Sequence, residues 1–158
     1  MKSHKNALEL CKAVELACAK LYHHLADLFK DEREYLLLWL NAAMEEENHA
    51  RLFTLVTKLQ KDGVIESIRI DAVEAEVTLL FVRSLLKQMK QSPPSMEEAL
   101  LLAIDLEKKL DGFMMENVIT FSDPSYDKLF LQITNPDTKH VEALQSAYAS
   151  LQAEGGPD

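Results

Sequence analysis

Between residues 4 and 30 apolar side chains return every three or four positions, at Leu8, Cys11, Cys18, Tyr22, Leu25 and Phe29, while Lys12, Lys20, Asp27 and Lys30 fall mostly on other faces. That period is the signature of a helix with one buried stripe. After Asp31 a second run carries Tyr35, Leu38, Trp39, Ala42, Ala43, Phe53 and Val56 and stops at Lys61-Asp62-Gly63, where glycine supplies a helix C-terminal signal. The two runs predict an antiparallel hairpin. A third stretch, from Asp71 to Gln91, must end before Ser92-Pro93-Pro94-Ser95, because proline lacks the backbone donor and its ring crowds the preceding turn. Ser95 can cap a fourth helix predicted to run through Glu97 and Glu98 to about Ile119, the acids suiting the positive end of the helix dipole. Asp123-Pro124 restarts the chain as a last helix reaching about Ala153, with proline tolerated in the first turn. Because Leu129, Ile133, His140, Leu144 and Ala147 stay in phase across Pro136, this helix is expected to be continuous and kinked.

The pattern predicts an all-α fold: two helical hairpins joined by a long crossover that contains an extra helix, which is the arrangement of a ferritin-like antiparallel four-helix bundle. A chain of 158 residues with 47% hydrophobic content can bury its own core, so residues 1–153 are read as one domain and 154–158 as a tail. The net charge of −9 argues against a nucleic-acid partner, which clustered Lys and Arg would hold, and no basic stripe occurs in the sequence. No continuous apolar run of signal-peptide or membrane-span length occurs, which gives a cytoplasmic expectation. Cys11 and Cys18 lie on one helix about 10 Å apart by helical rise, too far for a disulfide, and are expected to be reduced core residues.

Each of the four main helices carries an acid where its apolar stripe calls for a hydrophobe, and a buried unpaired carboxylate needs a partner. Glu15 lies between Cys11 and Cys18, and Glu107 interrupts Leu100-Ala103-Leu110-Met114. On the second helix Glu46 and His49 share a face with Ala42 and Phe53; on the last, Asp137 and His140 share one with Ile133 and Leu144. Glu15 precedes Glu46 by 31 residues and Glu107 precedes Asp137 by 30, so folding each hairpin at its turn brings its acids to one level. Either acid-x-x-His pair alone is weak, being common on solvated helices. Two such pairs with two further acids make a binuclear metal site. His23 and His24 flank the inward stripe and are read as surface or edge residues, and Asp105 and Asp111 as solvent-facing.

The residues Glu15 with Tyr22 seven later, Glu46-Glu47-Asn48-His49-Ala50-Arg51 and Glu107-Lys108 resemble the rubrerythrin branch of the ferritin-like superfamily, over nearly residues 4–153. The resemblance implies a carboxylate-bridged site of two metal ions, iron first and manganese or zinc as alternatives, reacting with hydrogen peroxide or dioxygen. It implies as ligands Glu15, Glu46, His49, Glu107, Asp137 and His140, with Tyr22 hydrogen-bonded to a ligand carboxylate. The chain departs from the family in three places. Asp137 stands for the glutamate of the last helix and follows Pro136; Leu110 occupies the position of a further glutamate; and the Cys-x-x-Cys electron-transfer module is missing, which implies an external electron donor. Metal binding or iron handling without turnover, and a helical interaction domain with a degenerate site, are the competing functions. Val77-Thr78-Leu79-Leu80-Phe81-Val82 is more apolar than one buried face needs, and predicts a homodimer.

Overall fold

The structure, a computed structural model, describes residues 2–113, 115–134 and 137–155, with side chains from residue 7 onward except at 115–116, 131, 133–134 and 137–140. It is mostly helical, as the apolar spacing requires. Helix α1 spans Lys2–Leu28 and α2 spans Arg33–Lys61. They form an antiparallel pair in which Leu8, Leu21, Tyr22, Leu25, Trp39, Phe53 and Val56 are fully enclosed. Gly63, at φ 72°, turns the chain out of α2 in a conformation that costs an L side chain.

Helix α3 spans Ala72–Gln91 and α4 spans Met96–Leu110. Both starts are capped by side chains. Asp71 accepts from the Glu74 amide at 2.7 Å, and Ser95 forms a reciprocal capping box with Glu98. Helix α3 buries Ala75, Leu79, Val82 and Met89, packing mainly on α1. It therefore thickens the bundle as well as linking α2 to α4. A single hydrophobic cluster joins all of these helices to Leu144 of the last one.

Two expectations are corrected. The fourth helix does not continue to Ile119: α4 ends at Leu110, a 3-10 turn covers Asp111–Phe113, and the short α5 spans Met115–Val118. The chain then enters a strand, β2 (Ile119–Phe121), antiparallel to β1 (Ile65–Ile68) in the α2–α3 connection. Ile119-Thr120-Phe121 is β-branched and aromatic, and its partner carries β-branched Ile65 and Ile68 at its two ends around the exposed Glu66 and Ser67, so each suits a short half-buried ribbon. Arg69 fastens the pair by donating to the Asn117 and Ile119 carbonyls and to Thr120 Oγ1. Phe121 stacks on Phe130, with ring centroids 4.8 Å apart.

The last helical region consists of α6 (Pro124–Thr134) and α7 (Asp137–Glu154). The junction at Asn135 and Pro136, on which the single kinked helix depends, lies outside the described residues. Asp123 accepts from the Ser125 amide at 2.9 Å and caps α6; Pro124 is its first residue, as expected. Helix α7 packs on α4 and α2. Among the described residues no helix is long and apolar enough to cross a membrane.

Candidate metal centre

Four side chains singled out by position in the apolar stripes converge where α1, α2 and α4 meet. Glu15 and Glu46 are buried, at 7% and 2% exposure. His49, one turn beyond Glu46, turns its Nδ1 toward both acids and lies 3.4 Å from an oxygen of each. Ligand atoms of Glu15, Glu46 and His49 all fall within 4.8 Å of one another. From α4, Glu107 accepts a short hydrogen bond from the Tyr22 hydroxyl of α1. The hairpin arithmetic is thus realised between α1 and α2. Asp137 and His140 start α7, but their side chains lie outside those described.

The electrostatics follow from burial. Enclosure holds the Glu46 carboxyl well above the usual carboxylate range, the Glu15 charge pushes the same way, and His49 only partly opposes them. Among the described residues, Glu15 and Glu46 form ion pairs only with His49. The cluster therefore carries more acid than its one imidazole can neutralise, and a buried excess of this kind is relieved by a proton or a metal cation. Two donors about 2.1 Å from a common ion lie roughly 3.4 Å apart at a tetrahedral angle, so the two His49 distances suit a shared ion. Carboxylate and imidazole donors suit iron, manganese or zinc.

The surroundings fix these side chains. Tyr22 is fully enclosed, its hydroxyl proton held by burial and by Glu107, so it donates instead of ionising. Its ring stacks on Trp39, with centroids 6.1 Å apart. Trp39 sits two turns before Glu46 on α2, and its buried indole N–H has no hydrogen-bond partner among the described residues. Sequence periodicity marks Trp39 only as core; an orphaned donor leaves no trace in spacing. Cys18 is enclosed beside the cluster. Burial first, then Glu46, Glu15 and Glu107, push its thiol up, so it packs as a neutral group and not as a thiolate ligand. Burial likewise raises the Cys11 thiol to about 12. His23 forms a surface pair with Glu47 at 2.6 Å, outside the cluster and worth little. His24 is half-buried, an edge position, and its Nε2 has no hydrogen-bond partner among the described residues.

Between α2 and α7 lies a groove of about 310 Å³ lined by Asn41, Glu45, Asn48 and Ala143. It follows the α2 face next to that of Glu46 and His49, and the His49 side chain is 21% exposed.

Tyr22→Phe should cost about 1.5–3 kcal/mol, the range for a hydrogen bond to a charged group, because Glu107 loses a buried donor. Chemical denaturation with and without metal would measure it. An unchanged midpoint would show that Tyr22 does not hold Glu107. Compared with protein-family models, with curated proteins and with solved structures, the chain matches none.

Proposed function

We propose that this chain is a ferritin-like, rubrerythrin-like protein whose α1, α2, α4 and α7 enclose a binuclear metal centre, with iron as the expected metal. The observation that carries the reading is the convergence of Glu15, Glu46 and His49 in an acid-rich interior with Glu107 beside them. In this reading Glu15, Glu46, His49 and Glu107 bind from three helices, and Asp137 and His140 complete the set from α7. Two such ions, when bound, clamp and polarise the O–O bond of hydrogen peroxide or dioxygen.

The chain's own contribution is to bind, orient and exclude water. Tyr22 holds Glu107 in one orientation, and support of this kind tunes what a carboxylate ligand does. The Trp39 and Tyr22 rings close the site on one side against solvent. Leu110, buried one turn after Glu107, offers no further carboxylate for a ligand exchange. In this reading electrons reach the site from a donor outside these residues, whose two cysteines, Cys11 and Cys18, are seven apart and form no Cys-x-x-Cys pair.

The test is reaction of the iron-loaded, reduced protein with peroxide or oxygen by stopped-flow absorbance. Loss of the ferrous state with either oxidant is expected. If both leave it unchanged, the redox reading is wrong, and iron handling without turnover takes its place.

The two halves of the centre should load unequally. Asp137 is one methylene shorter than glutamate and directly follows Pro136, which in a regular helix costs about 3 kcal/mol. Calorimetric titration should therefore show an ion near Glu46 and His49 held more firmly than one near Asp137 and His140. Two equivalent tight sites would contradict this.

A further inference from the structure

Helix α3 covers α1 with one face and leaves an apolar stripe on the other: Val73, Val77 and Leu80 are 70%, 61% and 58% exposed. These positions are three and four residues apart and form one continuous ridge. A ridge of this kind on a helix already packed on its far side calls for a partner. The charges beside it identify that partner.

Glu76, Arg83 and Lys87 are exposed and, by the 100° helical step, lie along one flank of the ridge. The acid stands toward the N-terminal end and the two cations toward the C-terminal end. Arg83 and Lys87 are four apart, a spacing at which like charges repel. None of the three forms an ion pair among the described residues. When two helices pair antiparallel about a two-fold axis, each flank meets the same flank of its partner in reverse order. An axis passing near Leu80 would therefore set Glu76 of each copy between Arg83 and Lys87 of the other, while Val77 and Leu80 close the centre.

We propose that α3 is a self-complementary docking surface and that its occupant is the antiparallel α3 of a second copy of this chain. The stripe supplies the apolar contact, and the polarity of the flank selects the antiparallel arrangement, in which the flank meets itself in reverse order; a parallel pair would set it against the opposite flank and leave Glu76, Arg83 and Lys87 without one another. The pairing needs no metal and stands whatever the fate of the metal reading.

Sedimentation equilibrium of the full chain at micromolar concentration tests this. A mass twice the 17.9 kDa of one chain is expected. Leu80→Glu should give a monomer with an unchanged helical spectrum, because Leu80 is 58% exposed and is not among the described residues that pack on the subunit core. Glu76→Lys alone, and Arg83→Glu with Lys87→Glu, should each weaken association about tenfold or more. The triple variant, which exchanges the two ends of the flank, should restore it. A monomeric wild-type chain overturns the proposal, as does a dimer indifferent to Leu80→Glu. Failure of the folded triple variant to recover overturns the antiparallel register.

Discussion

Glu46→Gln should abolish metal binding and, in metal-free protein, raise stability. The two effects share one cause. Burial and the adjacent Glu15 hold the Glu46 carboxyl above its ordinary range, so the folded chain keeps a proton there that the unfolded chain releases. Stability tied to that proton is fully present below the unfolded value of about 4.3 and is lost as pH rises through the folded value. Glutamine has the same shape and no charge, and its amide can donate to Glu15. At pH 8 the metal-free variant should exceed the wild type by about 1–3 kcal/mol, the cost of a buried polar group left without compensation. At pH 4 the two should be nearly equal. Urea denaturation at both pH values checks the sign, and a gap that is constant with pH would show that Glu46 does not titrate with folding.

Chelation should lower the melting temperature of metal-loaded wild type by about 5–10 °C. Ligands drawn from α1, α2 and α4 cannot assemble in the unfolded chain, so binding acts on the folded state alone. With metal at about 100 times its Kd the stabilisation is about 2.7 kcal/mol, and a chain of this size shifts by about 2–4 °C per kcal/mol. Glu46→Gln should melt at the same temperature with and without chelator. Calorimetry of both proteins in EDTA is the check; equal shifts would place the metal elsewhere.

The parts of the site legible in the sequence were those that violated the pattern around them. Glu15 and Glu46 stood where α1 and α2 required hydrophobes, and near-equal distances from the turn at Asp31 set them at one level. Tyr22, seven residues after Glu15, lay on the same face and reaches the acid of α4. The boundaries of α4 were less legible. Leu110, Phe113 and Val118 continue an apolar rhythm that α4, the 3-10 turn and α5 all use, so periodicity alone ran the helix on to Ile119. Gly112 and the β-branched pair Ile119-Thr120 were the local signals against it. The pairing of β1 with β2 joins segments about 50 residues apart, and no local pattern encodes which segment a short strand will meet. That the Trp39 indole finds no partner among the described residues is a matter of three-dimensional packing alone.

The central claim is that Glu15, Glu46, His49 and Glu107 hold metal. Elemental analysis after anaerobic loading with ferrous iron and desalting tests it most directly, on wild type beside Glu46→Gln and Glu15→Gln. The account predicts that wild type retains at least one ion per chain and approaches two as free iron rises, while both variants lose the firmly held ion. Wild type retaining no more iron than the variants would contradict it.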